Sequence, residues 1–245
     1  MFIDKKINEL NFNEVHIWCT SLDEKYDYTY LKNYLSESEL NKVNRFKIKS
    51  DNINAIVRKA LSKYLLSYYL KIPIQSITLK YSYYNKPEFS GINFNSSHSK
   101  NKIVLAFSLN KNIGIDIEEI KYFEGMDQVA KSYFAKEEYE HYKYLNKSQR
   151  IYTFFRIWTS KEAFIKAIGN GFTYPIQNFI INPFSGTRMT PIILKELSNQ
   201  NWFNKRLQLF DSFASAIAFN GEEIKISVIK FDINKKSEVK ILDEL

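Results

Sequence analysis

At 245 residues, with 44% hydrophobic and 16% aromatic side chains, the chain can bury one large core or two small ones, which argues against disorder. Thirty-five Lys and Arg against 27 Asp and Glu leave a net charge of +8, which suits a nucleic acid, a phosphorylated cofactor or an acidic protein without choosing among them. The lone Cys19 excludes an intramolecular disulfide and a cysteine-rich zinc site, and neither a signal-like apolar stretch in Met1 to Phe12 nor a run of membrane-span length is present, so a cytoplasmic protein with no membrane partner is expected.

In chain order, Val15 to Thr20 reads as a strand and Leu35 to Phe46 as a helix, with Ser36 and Glu39 at capping-box spacing. Asp51 to Leu70 repeats apolar residues at three and four, which predicts a longer helix ending before Pro73. Strands are predicted at Ser76 to Tyr84 and Lys102 to Leu109. The order then restarts, with a strand at Asn112 to Ile117 and helices at Met126 to Leu145 and Gln149 to Ile168. Further strands are predicted at Phe179 to Ile181, Arg206 to Phe210, Ser212 to Phe219 and Ile224 to Phe231. Leu35-Ser-Glu-Ser-Glu-Leu40 also resembles Phe134-Ala-Lys-Glu-Glu-Tyr139, each opening a helix that precedes a longer one. The expected fold class is therefore α+β, with two similar α/β halves, residues 1–109 and 110–245, and a ligand site between them.

Three segments carry chemistry. In Asn112-Ile-Gly-Ile-Asp-Ile-Glu118, strand alternation sends the isoleucines to one face and Gly114, Asp116 and Glu118 to the other. Two carboxylates about 7 Å apart repel unless a cation or water lies between them, and a hard divalent ion such as magnesium would serve. Alone, Asp-x-Glu is what any half-solvated strand shows. In Trp158-Thr-Ser-Lys-Glu-Ala-Phe-Ile-Lys166, Glu162 and Lys166 lie one helical turn apart on one face, although such a pair is also an ordinary surface ion pair. Lys86-Pro87 and Ser97-His98-Ser99 place donors ahead of a strand, in a loop suited to gripping phosphate.

The ordered set Lys-Pro, Ser-His-Ser, Gly-Ile-Asp-Ile-Glu and Trp-Thr-x-Lys-Glu-Ala-x-x-Lys-Ala-x-Gly-x-Gly resembles the 4′-phosphopantetheinyl transferase superfamily, of the long, pseudodimeric Sfp type, over roughly Leu35 to Phe172. The resemblance implies a pseudo-twofold fold with the active site between the halves. It also implies an enzyme, a holo-[acyl-carrier-protein] synthase, that moves the phosphopantetheine arm of coenzyme A to a serine of an apo acyl or peptidyl carrier and releases adenosine 3′,5′-bisphosphate. By the same resemblance Asp116, Glu118 and Glu162 are magnesium ligands, Lys161 and Lys166 meet the pyrophosphate, and Glu162 and Lys166 are catalytic. Lys42, Arg58, Lys86, Pro87, Ser97, His98 and Ser99 would hold coenzyme A, and Tyr122 to Tyr144 would help receive an acidic, helical carrier, the enzyme acting as a monomer. Glu138 falls on a family glutamate whose role stays open. Asn54 stands where the family often has arginine, with Arg58 a turn later, and Asn85 replaces the usual glycine before Lys-Pro. A metal-dependent nuclease would also combine strand carboxylates, a Glu and Lys pair and positive charge, but would need neither Ser-His-Ser nor the Trp-Thr-x-Lys-Glu-Ala helix. No groove-reading or base-stacking motif is present, so a nucleic-acid partner is not expected.

Overall fold

The computed structural model describes residues 9–182, 189–194, 201–221, 224–234 and 239–244, so the start of the N-terminal stretch lies outside the described residues. The chain forms two compact units, Met1–Asn110 with Lys225–Leu245, and Lys111–Ile224.

In the first unit, β1 (Glu14–Ser21) is buried along almost its whole length. A strand buried on both faces needs partners on both edges. It pairs antiparallel with β5 (Lys102–Ser108) and parallel with β11 (Lys225–Phe231), and the sheet order is β12-β11-β1-β5-β4, with β4 at Asn93–Ser99 and β12 at Val239–Glu244. The sequence boundary is therefore corrected: the segment from Lys225 onward belongs with the first unit, because β11 completes the second edge of β1.

Ahead of this sheet, α1 (Glu37–Val43) starts on a complete capping box in which Ser36 and Glu39 satisfy each other's backbone N–H groups. Next comes α2 (Lys49–Leu70), whose Ile56, Val57, Ala60, Leu61 and Leu65 pack into one core with Trp18, Leu105 and Phe107. The strand expected over Ser76 to Tyr84 shrinks to β2 (Lys80–Tyr81) paired with β3 (Pro87–Glu88). Asn85 at φ 62° turns the chain back, and Pro87 has no N–H with which to extend the ladder.

The second unit has the sheet order β6-β10-β9-β8-β7, formed by β6 (Ile113–Glu119), β7 (Phe179–Ile181), β8 (Met189–Leu194), β9 (Trp202–Leu207) and β10 (Phe213–Asn220). The single helix expected over Met126 to Leu145 is two, α3 (Met126–Tyr133) and α4 (Lys136–Tyr142). The break falls at Phe134 and Ala135, both extended, because the Glu138 carboxylate accepts the Ala135 N–H at 2.7 Å and starts a new helix there. Then α5 (Lys147–Ile168) runs to Gly169, which ends it with φ 76°. Each unit thus runs strand, short capped helix, 22-residue helix, then further strands, with α3 as an additional helix in the second, the mixed α+β plan of two similar halves. No helix among the described residues is long and apolar enough to cross a membrane.

One contact sets up the chemistry of the second unit. A Cβ on Gly114 would run into the backbone of Ala163 and Ala167, so β6 and α5 touch there at main-chain distance. The Gly114 and Asp116 end of the carboxylate face of β6 is therefore covered by α5, and Glu118 stays half-buried.

Candidate active site

Ile113, Ile115 and Ile117 are buried, and Asp116, on the opposite face of β6, is only 3% exposed. A carboxylate held that far from water needs compensation. Lys166 supplies it from the last turn of α5, with Nζ 2.6 Å from Asp116 Oδ1. Glu162, one turn earlier on the same helix face, has a carboxyl pushed up to about 7. Burial is the largest cause, followed by the negative charge of Asp116, with Glu118 adding to it and Lys166 opposing. The structure therefore gathers Asp116, Glu118, Glu162 and Lys166 into one electrostatic group. Among the described residues no three His, Cys, Asp or Glu side chains lie close enough together to cage a metal. Magnesium does not require a cage. It is typically held by one or two carboxylates, with waters and substrate phosphates filling the remaining positions, so an all-oxygen set whose members repel one another suits it.

Lys161 is placed differently from the expectation. Its side chain is 1% exposed, and Nζ donates to the carbonyls of Ile176 at 3.0 Å and Phe179 at 2.7 Å while pairing with Glu138 Oε2 at 2.9 Å. A pyrophosphate contact for Lys161 is thereby corrected to an internal one, since all three ammonium donors are directed into the protein. The reason is angular. Residues 161 and 166 are five apart and stand about 140° from each other around a helix, whereas residues 162 and 166 are about 40° apart. Burial also pushes the Glu138 carboxyl above its usual range, although Lys161 and the N–H groups of Ala135 and Ile181 oppose the shift. The apolar side chains of the same helix serve packing: Phe164 and Ile165 are buried, and Trp158 stacks on Phe154.

In the first unit, Arg58 and His98 meet, with the guanidinium 3.3 Å from Nδ1. Burial pulls the guanidinium below its ordinary value. The Lys42 ammonium lies 3.9 Å from the centre of the Tyr81 ring, and Lys59 donates to the Tyr81 hydroxyl at 2.9 Å. Burial, with the Glu39 charge adding to it, pushes that phenol up to about 12. Pro87 faces Tyr81 across the β2 and β3 pairing, and burial holds the adjacent Lys86 ammonium below its usual value. Lys42, Arg58 and Lys86 are thus joined by Lys59 and Tyr81, which the sequence reading did not single out. The signal for Lys59 was available, because it follows the Arg58 that stands a turn after the expected arginine position.

Ser97, His98 and Ser99 lie within β4, paired to β5, rather than in a loop. Alternation along the strand puts Ser97 and Ser99 on one face and His98 on the other, so the three do not form a single cluster of donors. Asn54 is 4% exposed and donates to the Lys100 carbonyl at 2.9 Å, which ties α2 to the turn after β4.

Comparison with known proteins agrees over both units. A family model described as 4′-phosphopantetheinyl transferase superfamily matches residues 112–218, and one described as 4′-phosphopantetheinyl transferase, N-terminal, matches residues 18–110. The 4′-phosphopantetheinyl transferase HetI of Nostoc sp. (strain PCC 7120) is 32% identical over 166 residues, covering 65% of this chain and 70% of that one. The 4′-phosphopantetheinyl transferase gsp of Aneurinibacillus migulanus is 31% identical, covering 65% and 66%. The 4′-phosphopantetheinyl transferase Sfp of Bacillus subtilis (strain 168) is 29% identical, covering 60% and 66%.

Proposed function

Because the chain belongs to the 4′-phosphopantetheinyl transferase superfamily, we propose that it transfers the phosphopantetheine arm of coenzyme A to a serine hydroxyl of an apo carrier protein, with magnesium. The observation that carries this reading is the group formed by Asp116, Glu118, Glu162 and Lys166, which lies within the matched residues 112–218.

In the reaction, the carrier serine hydroxyl gives up its proton, to Glu162 or to solvent, as its oxygen forms a bond to the phosphorus that bears the pantetheine arm. The bond from that phosphorus to the bridging oxygen breaks, and adenosine 3′,5′-bisphosphate leaves. Bound magnesium would take one or two of its ligands from Asp116, Glu118 and Glu162, with water and phosphate oxygens at its other positions, and would neutralise charge on the pyrophosphate. Lys166 contributes a fixed positive charge on the Glu162 face of α5, already pinned by Asp116. Glu162 and Lys166, one turn apart, present an acceptor and a donor together. In the first unit, the exposed Lys42 and the half-buried Arg58 and Lys86 supply cations suited to the nucleotide phosphates, with His98 beside Arg58, Pro87 next to Lys86, and Ser97 and Ser99 on β4. Charge-assisted bonds from buried cations to phosphate are among the stronger polar contacts available.

The carrier reading draws on the exposed tyrosines of the second unit. Tyr122, Tyr144 and Tyr152 are exposed, with Lys147, Lys143 and Arg156 over their rings. An aromatic and cationic surface of this kind favours an acidic helical partner. A monomer in the cytoplasm fits the lone Cys19, which burial pushes up to about 12 and so keeps unreactive.

The test is to incubate the protein with apo carrier domains, coenzyme A and magnesium and weigh the carriers by mass spectrometry. One added phosphopantetheine per carrier is expected. No gain across acyl and peptidyl carriers would refute the reading.

A further inference from the structure

We infer that the buried Glu138 and Lys161 pair is a positioning strut that sets the register of α5 beneath Glu162, and that Glu39 and Lys63 are its duplicate in the first unit. Both members of the second-unit pair are 1% exposed. Lys161 joins three segments by binding Glu138 of α4 and the carbonyls of Ile176 and Phe179 beyond α5. Glu138 closes the arrangement by accepting the Ala135 and Ile181 N–H groups at 2.7 Å each. The residue after Lys161 is Glu162, so a slip of α5 at the strut moves that carboxylate relative to β6.

The first unit repeats the device without the chemistry. Glu39 Oε2 accepts the Ser36 N–H at 2.9 Å and pairs with Lys63 at 3.5 Å, and both side chains are buried. Glu39 is the third residue of α1 and Glu138 the third of α4. Lys63 stands fourteen residues into α2 (49 to 63), and Lys161 fourteen into α5 (147 to 161). The residue after Lys63 is Tyr64, with no carboxylate to place. A pair kept in both units at matching helix positions, with the reactive carboxylate beside only one of them, belongs to the fold rather than to proton transfer or phosphate binding. Its effect on transfer then runs through Glu162.

The kinetic arm of the test rests on the transferase reading, whereas the stability arm stands without it. Unfolding midpoints would be compared for wild type, Glu138→Gln, Lys161→Met, their double variant, Lys63→Met and Glu39→Gln. Lys161→Met and Lys63→Met should each lower the midpoint by at least ~5 °C, because each leaves a buried carboxylate uncompensated. The Glu138→Gln and Lys161→Met double variant should lose less than the sum of its singles. In the transfer assay, Lys161→Met or the double variant, whichever folds better, should show kcat reduced at least tenfold and half-saturating magnesium raised several-fold. The KM for coenzyme A and the shape of the pH profile should match wild type. Lys63→Met should keep wild-type kcat.

A raised coenzyme A KM with kcat retained would make Lys161 a ligand contact and overturn the inference. So would loss of one limb of the pH profile in Glu138→Gln, which would make Glu138 the proton acceptor. Equal kcat losses in Lys161→Met and Lys63→Met, or none in either, would also overturn it. A wild-type protein that fails to transfer would refute the functional reading alone, and additive stability losses would refute the strut alone.

Discussion

Replacing Glu162 by Gln should make the metal-free protein more stable at pH 8 while abolishing transfer. The carboxyl sits at about 7 rather than its ordinary 4.5, because burial and the charges of Asp116 and Glu118 all resist its ionisation. Between those values the folded protein holds a proton that the unfolded chain has released, so native stability falls as pH rises from about 4.5 through about 7. At 1.36 kcal/mol for each pH unit, the loss is roughly 3 kcal/mol, an upper bound because Lys166 and entering water can relax the site. The amide introduced by Glu162→Gln would carry no charge to repel, so that decline should be missing. Urea unfolding at pH 5, 6, 7 and 8 in chelator, followed by the fluorescence of Trp18, Trp158 and Trp202, reads the difference directly. Titrations shared by the two proteins cancel. The variant's advantage should grow with pH to about 2 to 3 kcal/mol by pH 8, and magnesium should stabilise wild type more than the variant there. An advantage that does not change between pH 5 and pH 8 would refute the idea that these carboxylates crowd one another.

The same geometry fixes several further outcomes. Asp116→Asn should reduce transfer at least a hundredfold with the fold retained, as near-ultraviolet circular dichroism would show. Lys166→Met should lose transfer similarly and, because Asp116 stays buried without its ammonium, should also lose about 2 kcal/mol in urea unfolding. Gly114→Ala should lose about 3 kcal/mol, at the high end for an inserted methyl, since that methyl meets helix backbone that cannot rotate away. Arg58→Met should raise the KM for coenzyme A at least tenfold and leave kcat near wild type, as measured by varying coenzyme A at saturating carrier.

What could be read in advance was local. The helices ending at Leu70 and Ile168, the capping box at Ser36 and the β6 segment follow from periodicity and caps that short windows contain. The return of β11 to β1 could not be read this way, because residues 14 and 225 pair through an edge that no local pattern encodes. The break between α3 and α4 was half legible: apolar spacing runs through it, yet Glu138 stands at the capping distance from Ala135 that the Ser36 and Glu39 comparison had picked out. Lys161 and Lys166 stand in one sequence motif, but helical angle alone separates them. His98 adjoins Ser97 in sequence, but strand alternation turns the two to opposite faces of β4. In each case adjacency along the chain does not give a shared face.

The two halves keep the same frame and differ in what they put on it. Asp116 and Lys166 are fifty residues apart and form an ion pair. Trp18 and Tyr68 are also fifty apart, on β1 and α2, and meet edge to face with ring centres 6.5 Å apart. Where α5 carries Glu162 and Lys166, the matching positions of α2 carry Tyr64 and Tyr68, packed against the core that holds Trp18. The strand-and-helix contact that presents ionised groups in one unit is therefore a hydrophobic seam in the other. Charges so close destabilise the fold that holds them unless a counter-ion or substrate arrives, whereas aromatic rings in the same place stabilise it. On the reading proposed above, phosphoryl chemistry falls to the second unit, and the first supplies stability and the cations at Lys42, Arg58 and Lys86.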